Sequence, residues 1–330
     1  MSLLVLMNIS LFALLVATAL AISRLRALYE ATMLTALAGL LSASLFVSMD
    51  ALDVAITEAA VGAGISTVLF LGVLALTRSR EAVTPRRRLW SGGAVAVLLG
   101  ATLMYASQDL PPFAEPGNPV QTHPVSKTYL EDSQQEIGIP NTVTSVLASY
   151  RGYDTLGELV VVFTAGVTVA LLLMRTRRRG EDDETNENTL SEYRILRVAS
   201  KILMPFIFIF ACYILFHGDY GPGGGFQAGV IFASGFVLYG LVFGFKGVGR
   251  VLPWPVLLGL LPVGVLLYAG LGVVNMALGG SFLDYGTLVP DHPAEGQHLG
   301  ILVIETGVGI TVAAVLIAIF YSFTSRGAPR

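Results

Sequence analysis

Runs of roughly twenty apolar residues, each closed at both ends by charges or by Gly and Pro, recur nine times along this chain of 330 residues. They cover approximately 3–22, 27–48, 54–77, 89–107, 154–175, 197–216, 224–245, 253–276 and 298–323. A hydrocarbon layer about 30 Å thick takes about 20 helical residues to cross, so each run is long enough to span it. The runs are apolar on all faces and about twice as long as a barrel strand, which selects helices. The pattern predicts an all-α polytopic integral membrane protein of about nine transmembrane helices, in groups of three, two and four.

The polar intervals set the boundaries of those groups: a three-helix unit at 1–82, a two-helix unit at 83–179, a charged linker at 180–193 and a four-helix domain at 194–330. Residues 108–153 carry DLPPFAEP at 109–116, the carboxylates Glu131, Asp132 and Glu136, and a modestly apolar stretch at 140–150 suited to a membrane surface. This interval reads as folded. The interval 176–193 is different in kind, a basic cluster followed by an acidic stretch poor in hydrophobes, and reads as a linker. Thr189 or Ser191 could cap the helix that follows it.

Composition sharpens this picture. The chain is 54% hydrophobic and only 13% charged, with a mean hydropathy of +0.71, against about 25% charged residues in soluble domains. A net charge of -3 gives no basic surface for a phosphate backbone, so nucleic acid is excluded as a partner and the lipid bilayer is implied. Cys212 is the single cysteine, in an apolar run where it reads as a packing residue. His123, His217, His292 and His298 show no metal-binding spacing, and no motif for a catalytic centre or a cofactor occurs.

Charge distribution orients the spans. The first run lacks a basic leader and is followed at once by Arg24 and Arg26, so it reads as a retained helix with its N-terminus outside. Nine alternating helices then put eighteen of the twenty Lys and Arg, together with the C-terminus, on the cytoplasmic side; only Lys127 and Arg151 face out.

Three glutamates interrupt the apolar runs, and an ionisable group there costs at least a few kcal/mol. Glu58, Glu158 and Glu305 each sit four to seven residues into a helix that starts outside, about 6–10 Å below the outer interface. Small and β-branched residues follow each of them (TEAAVGAGISTV from Thr57, GELVVVFTAGVTV from Gly157, ETGVGITVAAV from Glu305), allowing helices to approach and the carboxylates to line one hydrated cavity. Asp50, Asp53 and Asp154, at the mouths of two of these helices, would form an acidic vestibule that concentrates cations. The alternative is that such glutamates are protonated or serve as hydrogen-bonded ties between helices. Glu30 and Lys201 lie near enough to the inner face to snorkel.

GDYGPGGGFQAG at 218–229 fits neither a dinucleotide fingerprint nor a P-loop. Pro222 with Gly223, Gly224 and Gly225 breaks the helix and reads as a tight re-entrant turn, in preference to a loop whose carbonyls touch an ion. His217 and Asp219 beside it read as a solvated pair at a helix end.

Together these segments resemble the Mrp-type (Mnh) multisubunit sodium/proton antiporters of prokaryotes. The first three helices, through ALDVAITEAAVGAG at 51–64, are similar to the penultimate part of the large A-type subunit. DLPPFAEP with PNTVTSVLASYRGYDTLGE at 140–158 is similar to the C-terminal end of that same large protein. The last four helices, with the Gly-rich turn and the Glu305 segment, are similar to the B-type (MnhB) subunit. The resemblance implies a fusion of the A-type tail with an MnhB-like domain, in the cell membrane of a prokaryote, partnered by other antiporter subunits that include the proton-channel-like large ones. It implies part of a secondary transporter and not an enzyme, exchanging Na+ for H+ in support of pH and salt homeostasis, with Na+ at Glu58 and Glu158 and with Glu305, Asp154 and Asp53 in support. These units also resemble small membrane subunits of hydrogenase-like and complex I-related respiratory complexes, which gives the alternative reading of an ion-translocating part of a machine driven by electron transfer.

Overall fold

Backbone N–H and C=O groups have no water to bind inside a bilayer, so each apolar run must satisfy them within itself, and each forms a helix. A computed structural model of the chain describes residues 3–77, 85–112, 115–174 and 193–324. Among the described residues nine helices are long and apolar enough to cross a membrane, with bounds within a few residues of the predicted runs. They are α1 (Leu3–Arg24), α2 (Leu28–Ser48), α3 (Leu52–Leu74), α4 (Arg86–Ala106), α5 (Gly152–Met174), α6 (Arg194–His217), α7 (Gly225–Phe243), α8 (Trp254–Ala277) and α9 (Pro293–Thr324). The linker read at 180–193, apart from Tyr193, with the caps Thr189 and Ser191, lies outside the described residues. So do Arg78, Arg80, Arg175, Arg177, Arg178, Arg179, Arg326 and Arg330 of the basic clusters.

The core is built around α9. In its most apolar window 61% of residues are buried, against 6% for α1 and none for α4, so α9 is the axis on which α5, α7 and α8 pack. Where α8 crosses α9, a Cβ on Gly264 would collide with the carbonyl of Gly307, so the two backbones touch. Thr311 on α9 donates to the Leu261 carbonyl on α8 at 3.1 Å across this contact, fully buried. The start of α5 is tied to the same body by two buried tyrosines. Tyr268 donates to the Gly152 carbonyl at 2.9 Å, and Tyr285 to the Ala148 carbonyl at 3.0 Å.

Two readings change. Cys212 is exposed on the outer face of α6, so it does not fill the core of this chain. The stretch 140–150 forms a short helix (Thr142–Thr144) followed by a π-helical turn (Ser145–Tyr150), and it docks on the Gly-rich turn. Asn141 Nδ2 donates to the carbonyls of Gly218 and Gly221, both at 2.9 Å. Its N–H donates to the Asp219 carbonyl at 3.0 Å, and Thr144 Oγ1 donates to Gly218 at 2.6 Å. The turn's carbonyls are thus engaged by the segment that precedes α5. Gly224 has φ 130°, open in practice only to glycine, which lets the chain reverse before α7 starts at Gly225.

Two substitutions test these ties. Asn141→Ala removes the side-chain donor from the Gly221 carbonyl and leaves Gly218 to Thr144 alone, a loss of about 1–3 kcal/mol. Hydrogen exchange of the 218–226 segment, read by mass spectrometry, should quicken by about tenfold or more while exchange in α8 stays unchanged. Gly264→Val forces α8 off α9 and should lower the melting temperature of the detergent-purified protein, at a cost of about 1–3 kcal/mol. Gly92→Val on α4, where a Cβ meets nothing within 4 Å, should leave it unchanged.

Candidate functional site

The Gly-rich turn presents backbone N–H groups inward, and carboxylates from two other helices accept them. Gly223 N–H donates to Asp53 Oδ1 on α3 at 3.1 Å, and Gly225 N–H donates to Glu305 Oε2 on α9. Gly225 is the first residue of α7, so Glu305 faces the positive end of a helix dipole as well as a free amide. The contact requires glycine: a Cβ on Gly225 would overlap the Glu305 carbonyl. The turn predicted from Pro222, Gly223, Gly224 and Gly225 is therefore present, and its amides meet acids while two of its carbonyls, those of Gly218 and Gly221, are occupied by Asn141.

Behind the turn lies a cavity of about 320 Å³. Asp53 and Thr57 reach it from α3, Thr155 and Glu158 from α5, Gln227 from α7 and Glu305 from α9, with Thr144 of the docked segment at its wall. Apolar side chains, among them Leu159, Val162, Phe226, Val308 and Val312, close the rest. Carboxylates from the three sequence units thus line one largely apolar cavity. Among the described residues no three His, Cys, Asp or Glu stand close enough to cage a metal ion.

The other predicted acids stand elsewhere. Glu58, one residue beyond Thr57, is not among the cavity's lining residues; its carboxylate lies against Gly62 of its own helix and Gly39 of α2. A π-helical turn, Ala59–Ile65, begins directly after it. Asp50 is exposed in the connection from α2 to α3, with φ 61°. Asp154 makes a surface ion pair with Arg151 at 2.5 Å and does not line the cavity. Asp219 is buried, 7% exposed, and its partner is His298 on α9, Nδ1 to Oδ2 at 2.6 Å, in place of the solvated pairing with His217. Burial pushes the Asp219 carboxyl above the usual carboxylate range, and the imidazole of His298 opposes that shift. His217 instead stacks on Tyr213, ring centroids 4.9 Å apart.

Residues that sequence reasoning passed over complete the site. Gln227 Nε2 donates to Thr57 Oγ1 at 2.9 Å, joining α7 to α3 across the chamber. Gln227 carried a signal of its own, a neutral polar side chain inside an apolar run, where such groups tie helices together. Asn141 and Thr144 carried only the motif in which they stand, and His298 only its place near the start of α9.

Comparison with known proteins gives the family of the chain. Residues 195–318 match a domain related to the MnhB subunit of the Na+/H+ antiporter, residues 13–79 match the MbhD subunit of MBH, and residues 87–189 match its MbhE subunit. A probable K(+)/H(+) antiporter A/B subunit of Rhizobium meliloti is 27% identical over 89% of this chain and 32% of its own length. The putative antiporter protein mnhB2 of Staphylococcus haemolyticus is 33% identical over 39% of this chain and 93% of its own. Among solved structures, the Mrp complex from Dietzia sp. DQ12-45-1b superposes on 95% of this chain and 34% of its own, with TM-score 0.78 and 26% identity. The membrane-bound sulfane sulfur reductase, an archaeal respiratory membrane complex, superposes on 71% of this chain and 97% of its own, with TM-score 0.55 and 30% identity. The chain spans about a third of the length of the Rhizobium relative and of the Mrp-complex chain. Its matched segments follow one another in a single polypeptide, and on that evidence the chain belongs to the Mrp-type cation/proton antiporter subunits, joining the tail of an A-type protein to an MnhB-type one.

Proposed function

We propose that this chain is a membrane subunit of a multisubunit cation/proton antiporter and supplies part of the path taken by the monovalent cation. The observation that carries this reading is the chamber itself, which Asp53, Glu158 and Glu305 line from three different helices. A hard cation such as sodium or potassium prefers oxygen ligands, and a carboxylate that can hold either that cation or a proton couples the two by competition. Competition needs no long-range conformational wire. Glu58, against α2, joins the path from the other face of α3, and Asp50 and Asp154 sit at the outer mouths, where exposed negative charge raises the local cation concentration.

The chain works in the plasma membrane of a prokaryote with its N-terminus outside and its C-terminus in the cytoplasm, an orientation supported by the concentration of Lys and Arg on one side. Its partners are the other antiporter subunits, including large ones that carry the protons. The exchange of Na+ or K+ for H+ serves pH and salt homeostasis and requires no bound cofactor on this chain.

A second reading rests on the likeness to the sulfane sulfur reductase complex and on the matches to MbhD and MbhE: the same chamber serves a respiratory complex in which electron transfer drives the ion. Subunits that copurify with the tagged chain decide between them, antiporter subunits for the first and cluster-binding subunits for the second.

The direct test is cation-dependent proton movement in inverted vesicles carrying the assembled complex. Glu158→Gln should abolish exchange while the complex still assembles; undiminished exchange would remove Glu158 from the path.

A further inference from the structure

Thr57 has one hydroxyl proton, and it goes to the Asp53 carbonyl one turn back in α3, at 2.8 Å. Its oxygen is then left to accept, so the atom of Gln227 that faces it has to be a donor, and Nε2 lies there at 2.9 Å. This fixes the amide. With its nitrogen turned to Thr57, Gln227 turns its oxygen toward Gly224 and Glu305. A Cβ built on Gly224 would lie 3.3 Å from Gln227 Oε1 and 3.1 Å from Glu305 Oε2. The two oxygens therefore border the same small space, and Gly224 leaves that space open by having no side chain.

Neither of these oxygens carries a hydrogen when Glu305 is ionised. Two acceptors facing one space repel unless a donor or a positive charge lies between them: a water, a proton on Glu305 or a cation. We propose that Gln227 is a specificity-determining residue of the exchange: its Oε1 shares with the Glu305 carboxylate the proton or the monovalent cation that this position holds, and Thr57 keeps the amide turned so that it can. Gly225 N–H donates to this same Oε2, which keeps a second lone pair for the space it borders with Gln227 Oε1. The other titratable groups lining the chamber are Asp53 on α3 and Glu158 on α5, with the Asp219–His298 pair at the turn. A neutral amide oxygen adds a ligand without adding charge, so the position discriminates by ligand number and size and need not hold a divalent ion.

This inference rests on the antiporter reading, and the experiment separates the two. Vesicles carrying the assembled complex are titrated with sodium chloride and, in parallel, with potassium chloride, and both the maximal exchange rate and the half-saturating concentration are read. Gln227→Met keeps the length and removes the oxygen; it should raise the half-saturating concentration by about fivefold to tenfold, the effect of one lost ligand, with the maximal rate changed far less. Thr57→Val frees the amide and should shift half-saturation in the same direction. Thr57→Ser, which keeps the hydroxyl, should reverse that shift, a rescue that loosened packing alone would not give. Should Gln227→Met fail to assemble, the Thr57→Val and Thr57→Ser pair gives the answer. Half-saturation that stays put or falls in Gln227→Met, or in Thr57→Val, overturns the proposal, a fall meaning that the amide nitrogen faces Glu305. Absence of any cation-dependent proton movement in vesicles carrying the unmodified complex overturns the antiporter reading itself.

Discussion

Everything in the site hangs on carboxylates that accept hydrogen bonds from the backbone of a glycine turn. An acid inside an apolar bundle has to find donors, and side-chain donors near it would bring charge or bulk. Backbone N–H groups bring neither. By ending α6 at His217 and restarting at Gly225, the chain exposes amides that Asp53 and Glu305 can reach, and it does so where α3, α7 and α9 meet. Glycine is needed because the approach is so close that any Cβ at 225 would strike α9.

That turn is held from outside the helical body. Asn141 and Thr144 occupy its carbonyls, and the segment carrying them runs directly into α5, which brings Glu158. Tyr268 and Tyr285 lock the beginning of α5 and the end of that segment onto α8 and the loop before α9. The consequence is mechanical: the residues that fix the turn, and those that bring the third acid, belong to one continuous stretch from 141 to 158. A shift in that stretch moves Glu158 and loosens the hold on Asp53 and Glu305 together. Joining A-type and B-type antiporter segments in one polypeptide therefore joins parts of one chamber.

The nine spans could be read from the sequence because a bilayer permits only one backbone solution for runs of that length and apolarity. Glu158 and Glu305 could be read for a related reason: a charge in such a run is anomalous and invites a role. What could not be read is direction around a helix. Asp53 and Thr57 face the chamber and Glu58, one step of about 100° further, faces α2, so depth alone grouped residues that azimuth separates. Pairing over distance was hidden too. Asp219 stands two residues from His217, yet it meets His298, because α9 passes beside the turn while His217 lies on Tyr213. Gln227 and Thr57 are 170 residues apart and carry no charge, so nothing in composition joins them.

The central claim is that Asp53, Glu158 and Glu305 surround one wet chamber that receives a monovalent cation. Electron cryomicroscopy of the assembled complex in thallium, an electron-dense monovalent ion, addresses it most directly. The account predicts density in the chamber beside the Glu305 carboxylate, with Asp53 and Glu158 facing the same water-filled space. Carboxylates turned away from one another, or a chamber free of thallium and filled by apolar side chains of a neighbouring protein, would contradict it.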